Sequence, residues 1–143
     1  MPNRPIKHIL KDRELIAALP DTLVCEAAQQ MRAAHVGALA VVEEGSLIGI
    51  FTERDALNRI VAEGLSPAGL TLKEVMTSRP TALDANSPFD HALHLMFEND
   101  CHHVPVLENG HPVGIVSARE AFGLEVLQFE RELEQREDIS QIL

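Results

Sequence analysis

Apolar positions along this chain follow a helical period, then a strand period, and the sequence runs through that alternation twice. Val24, Ala27, Ala28 and Met31 stand at i, i+3, i+4 and i+7, the spacing that gathers side chains on one face of an α-helix. Phe89, Ala92, Leu93 and Met96 reproduce it 65 residues later. Asp21-Thr22 and Asn86-Ser87 precede the two runs as candidate N-caps. Pro88 suits a first helical turn, where a missing N–H breaks no bond.

Two short apolar runs follow each helix. Leu39 to Val42 and Leu47 to Phe51 flank Glu44-Gly45, while Val104 to Leu107 and Pro112 to Val116 flank Asn109-Gly110. Such pairs read as β-hairpins, because these turn residues tolerate positive φ. Pro105 and Pro112 donate no ladder hydrogen bond, which places them at edges or strand starts. Thr52 and Ser117 then stand as N-caps of a second helix in each copy, Gly64 closes the first of these helices, and Ser66-Pro67-Ala68-Gly69 reads as a linker. Extended stretches near Ile16 to Leu19 and Thr81 to Leu83 precede the first helices.

The offset of 65 residues also aligns Gly45 with Gly110, Gly49-Ile50 with Gly114-Ile115, and Arg54 with Arg119. The repeating unit is therefore strand, helix, strand, strand, helix. One such unit is too small to bury its own sheet and helices, so the two copies are expected to pack face to face. The expected organisation is an arm over residues 1–7, a first repeat over 8–63, a linker over 64–72, a second repeat over 73–128 and a helical tail over 129–143.

Composition narrows the function classes. The net charge is −10 with no Trp or Tyr, which argues against a nucleic-acid backbone or a base-stacking platform as partner. No apolar run is long enough to cross a bilayer. Met1-Pro2-Asn3-Arg4-Pro5 lacks the apolar stretch of a signal peptide, so a cytoplasmic protein without a membrane partner is expected. Cys25 and Cys101 have no metal or redox spacing and read as reduced, partly buried thiols.

Gly49-Ile50-Phe51-Thr52-Glu53-Arg54-Asp55 and Gly114-Ile115-Val116-Ser117-Ala118-Arg119-Glu120 resemble the signature of the CBS-domain family: glycine, apolar strand residues, Ser/Thr, two variable positions and Asp. His103-Val104-Pro105-Val106 is similar to the family's Pro-Val strand, and Lys73-Glu74-Val75-Met76-Thr77 to the usual lead into a second repeat. The resemblance covers about residues 8–125. It implies an α/β fold of two tandem βαββα repeats packed as a pseudo-twofold pair, usually assembled as a homodimer. It further implies a regulatory module that binds AMP, ADP, ATP, S-adenosylmethionine or an NAD-like ligand in the cleft between repeats, with no cofactor required. An unidentified regulated protein would be the partner.

By the same resemblance, each cleft takes a ribose-binding carboxylate from one repeat, and an edge strand plus the residues before the Pro-Val strand from the other. Thr52 and Asp55 are then expected to face Thr81, Ala82, His102 and His103, a ribose-and-phosphate set. Ser117 and Glu120 are expected to face Ala17, Gly37 and Ala38, a site without a cation that suits a neutral ligand part or nothing. A purely structural reading stands beside this one. Thr52-x-x-Asp55 approximates a capping box, and Ser117-x-x-Glu120 fits one better still, which would leave a ligand-free interaction scaffold. Histidines near their ordinary pKa of about 6.5 would strengthen anion binding as pH falls through neutrality.

The sequence offers no nucleophile with base and orienting partner, no phosphate-binding loop and no zinc-protease helix, so no enzyme is expected. His91 and His94 stand at i, i+3 on a helix and Cys101, His102 and His103 are adjacent, but neighbouring strand residues such as Cys101 and His102 point to opposite faces, so no metal site is expected unless two protomers build one together. Phe122, Val126, Phe129 and Leu133 continue the last helix as a stripe suited to clasping a dimer partner or to offering a face to another protein.

Overall fold

A computed structural model describes residues 4–120 and 131–136. The chain runs α1 (Ile6–Ile9), β1 (Ala17–Ala18), α2 (Val24–Ala34), β2 (Ala38–Glu43), β3 (Ser46–Thr52), α3 (Glu53–Ala56), α4 (Leu72–Val75), β4 (Thr77–Ser78), β5 (Leu83–Asp84), α5 (Phe89–Glu98), β6 (His103–Glu108) and β7 (His111–Ser117). A π-helical turn, Leu57–Val61, extends α3. Phe122, Val126 and Phe129 lie outside the described residues, and 131–136 are helical.

The strands form two sheets, ordered β1-β2-β3-β4 and β5-β6-β7. The equivalence of the repeats reaches into fine detail. β1 and β5 pair in parallel with β2 and β6, and both hairpins carry a register shift at the same place, between Val41 and Val42 and between Val106 and Leu107. Glu44-Gly45 (φ 52° and 78°) and Asn109-Gly110 (φ 53° and 80°) are both left-handed, the conformation whose twist matches that of the flanking strands. Pro105 lies inside the central strand of its sheet, against expectation. It is tolerated on the β5 side because that strand begins only at Leu83, opposite Val106, so β5 has no residue paired with 105.

The expected N-caps are corrected. The residues at the cap positions are Leu23 and Pro88, both extended and without a side-chain cap bond. The first N–H groups of these helices are satisfied by backbone from elsewhere. Val24 donates to the Leu70 carbonyl (2.9 Å) and Phe89 to the Arg4 carbonyl (2.8 Å). Asp84, rather than Asn86 or Ser87, organises the loop before α5, its side chain accepting the Asn86 N–H at 2.8 Å. Val24, Ala27 and Met31 are buried as the helical spacing predicts, but Ala28 and Cys25 are exposed.

The same two contacts reveal an exchange of short helices. α1 precedes the first repeat, yet Ile6 and Leu10 are buried with Phe89, Met96, Val104 and Val116 of the second. α4 precedes the second repeat, yet Leu72, Val75 and Met76 are buried with Val24, Leu39 and Phe51 of the first. Each repeat thus completes its core with the segment that introduces the other. Full burial of side chains such as Ile6 and Leu72 contributes about 1.5–3 kcal/mol apiece, so the exchange ties the two repeats into one folding unit.

Candidate functional site

β3 ends at Thr52, where the chain turns into α3. Thr52 is extended, and its hydroxyl accepts the Asp55 N–H at 3.1 Å while Asp55 Oδ2 accepts the Thr52 N–H at 3.0 Å. Two donors left open by the helix start are thereby satisfied reciprocally. Asp55 Oδ1 accepts the Thr77 hydroxyl at 3.0 Å and lies 3.5 Å from the Arg59 guanidinium one turn on. Asp55 is buried, at 8% exposure, on the wall of a cavity of about 580 Å³ between the repeats.

The first repeat lines that cavity with Ile50, Thr52, Glu53, Arg54, Asp55 and Leu57. Thr77, Arg79, Pro80 and Thr81 line it from the connecting segment, and Asn99 through His103 from the second repeat. The structure thus brings Thr52, Asp55, Thr81, His102 and His103 together, while Ala82 does not line the cavity. Sequence reasoning missed Thr77, Arg54 and Arg79. Arg54 stood in the repeat alignment, and its guanidinium crosses to the other repeat, donating to the Asp100 carbonyl at 2.6 Å.

A second, smaller cavity of about 290 Å³ lies at the related position, lined by Gly37 and Ala38 with Ser117 and Glu120. Ala17 does not line it, although Ile16 does. Ile16 and Thr81 reach their cavities where the neighbours Ala17 and Ala82 do not, as expected when successive residues of an extended chain point to opposite faces.

The expectation that this site lacks a cation is corrected. Arg13 and Arg119 both line it. Arg13 donates to both oxygens of Glu120, at 2.5 and 2.9 Å. The Glu120 carboxylate therefore goes to Arg13 and not back to the Ser117 N–H, so the capping box anticipated in the second copy gives way to an ion pair. The Arg13 guanidinium is held above its ordinary pKa chiefly by that hydrogen bond.

His103 lines both cavities. Its pKa lies below the ordinary value of 6.5, mainly because burial penalises the imidazolium. Glu53 opposes the shift, while His102, Arg119 and Arg54 reinforce it. Burial thus disfavours the charged form of His103, where the expectation took a histidine at its ordinary pKa. Among the described residues, no three His, Cys, Asp or Glu side chains converge where a metal ion could sit. Also among them, no helix is long and apolar enough to cross a membrane.

The family model for the CBS domain matches residues 6–62 and 72–124. The chain belongs to the CBS-domain family, as a tandem pair. Among curated relatives, the CBS domain-containing protein CBSCBSPB2 of Arabidopsis thaliana is 30% identical over 115 residues, 80% of this chain. The match covers only 22% of that relative, so the chain spans about a fifth of its length. Among solved structures, the CBS domain pair of protein MJ0100, in complex with 5′-methylthioadenosine and S-adenosyl-L-methionine, superposes with a TM-score of 0.77 at 27% identity over 89% of this chain and 99% of that one. The CBS domain protein PAE2072 from Pyrobaculum aerophilum, complexed with AMP, gives 0.75 at 25% identity over 87% and 99%.

Proposed function

We propose that this chain is a regulatory module whose larger inter-repeat cavity binds an adenosine-containing ligand. One observation carries the reading: Thr52 and Asp55 of the first repeat converge with Thr81, His102 and His103 on a single cavity of about 580 Å³. That volume suits a nucleoside or nucleotide. Each Asp55 oxygen has one partner through a full hydrogen bond, and a carboxylate oxygen carries two lone pairs. Asp55 therefore keeps acceptor capacity for a ribose diol. Arg79 and His102 supply donors for a phosphate or another polar end. The ligands of MJ0100 and PAE2072 belong to the same adenosine class.

The ligand acts by binding one arrangement of the repeats, or of two protomers, better than another. The reading carries no catalytic step and needs no cofactor, and includes a homodimer, an unidentified regulated protein and a cytoplasmic setting. A thermal-shift panel of AMP, ADP, ATP, S-adenosylmethionine, NADH and adenosine tests it. A ligand at 100 times its Kd raises stability by about 2.7 kcal/mol, a visible rise in Tm.

A ligand-free scaffold is the second reading, favoured by the completeness of the Thr52–Asp55 capping box. It predicts no thermal shift with any member of the panel.

A further inference from the structure

The two inter-repeat cavities carry the same parts and use them differently. Arg79 follows Arg13 by 66 residues in sequence, one more than the repeat offset, and each arginine lines a cavity that also holds the acidic residue of a helix start. In the larger cavity the acid is Asp55, which its short side chain keeps on the Thr52 N–H and the Thr77 hydroxyl. In the smaller cavity the acid is Glu120. Both its oxygens meet the Arg13 guanidinium in a two-pronged contact, the geometry in which Arg–carboxylate pairs are strongest. Glu120 remains only 17% exposed while Arg13 is 49% exposed, so the guanidinium covers the carboxylate from the solvent side.

We propose that Arg13 is a built-in latch on the smaller cavity, occupying the carboxylate that would otherwise accept the vicinal diol of a ribonucleoside. The N-terminal segment carries this latch. α1 is anchored in the second repeat through Ile6 and Leu10, and Arg13 follows Leu10 by three residues, which holds the guanidinium beside Glu120. With the latch closed, the smaller cavity takes no ribonucleoside. Release of Arg13, by a variant or by a partner carboxylate that recruits it, opens the second. The inference takes from the proposed function only the ligand class used as a probe.

Titration of the isotope-labelled protein with adenosine, followed through backbone amide shifts, tests the latch. The Gly114 and Ile115 amides report on the smaller cavity, those of Ile50 and Thr77 on the larger. In the unaltered protein, adenosine leaves Gly114 and Ile115 in place. In Arg13→Ala and Arg13→Gln, whose target side chain is half exposed and outside both cores, the same two amides shift and saturate. Unmoved Gly114 and Ile115 amides in both variants, or saturating shifts there in the unaltered protein, overturn the latch. Shifts at the smaller cavity of the variants with Ile50 and Thr77 silent throughout would uphold it while contradicting the proposed function of the larger cavity.

Discussion

A β-carbon on Gly49 would lie 2.5 Å from the sulfur of Met76 and 3.0 Å from the Thr77 carbonyl oxygen. Met76 belongs to the segment that introduces the second repeat, and Gly49 to the central hairpin of the first. In the second repeat, Gly114 stands 2.8 Å from a methyl of Leu10 by the same measure. Both glycines of the family signature are thus receptors for the exchanged short helices.

Gly49→Ala is expected to destabilise the protein by about 1–3 kcal/mol, the range for overpacking a filled core. Gly114→Ala is expected to cost less, because the leucine methyls can swing aside whereas the Thr77 carbonyl is fixed in a strand. Urea denaturation of both variants checks the order; equal stability with the unaltered chain would deny the tight contact.

Thr52→Ala removes the acceptor of the Asp55 N–H and is expected to lower stability by about 1 kcal/mol, as loss of an N-cap generally does. Thermal or urea denaturation measures it. Asp55→Ala would combine that kind of loss with an orphaned Thr77 hydroxyl, so ligand effects in it would be confounded with destabilisation. Asp55→Asn keeps the shape and one carbonyl acceptor, and is the cleaner variant.

His103 gives a pH dependence with a definite sign. Its folded-state pKa lies below the unfolded value of 6.5, so between the two the unfolded chain binds more protons. Stability is therefore fully present above 6.5 and falls as pH drops through that value, levelling off below the folded pKa. Urea denaturation at pH 7.5 and 5.5 is expected to show a larger loss in the unaltered protein than in His103→Gln. An anionic ligand facing His103 would raise its pKa. Its affinity is expected to rise as pH falls from the pKa of His103 in the complex toward that of the ligand-free protein.

Much of this architecture was legible in the chain itself. The Glu44-Gly45 and Asn109-Gly110 turns, the Met31 and Met96 helix faces and the Thr52-x-x-Asp55 cap are local features, and local patterns carry them. The exchange of α1 and α4 was not legible, because the apolar positions Ile6, Leu10, Leu72 and Met76 state that a face is buried but not against which repeat. The N-caps failed for the same reason: Asp21-Thr22 and Asn86-Ser87 are good capping residues, but carbonyls of Leu70 and Arg4 from distant segments reached the helix N–H groups instead. Arg13 and Thr77 entered the sites through contacts spanning 107 and 22 residues, beyond any local signal. Glu120, which suits a capping box by its type, meets Arg13 of a distant segment instead.

The central claim is that the larger cavity receives an adenosine ligand through Asp55. Isothermal titration of the best ligand from the thermal-shift panel into the unaltered protein and into Asp55→Asn tests it most directly. Saturable binding is expected, weakened tenfold or more in the variant, since a hydrogen bond to a charged acceptor contributes about 1.5–3 kcal/mol. Equal affinity in the two proteins, or no heat of binding with ligand-free protein, would contradict the account and leave Asp55 as a helix cap alone.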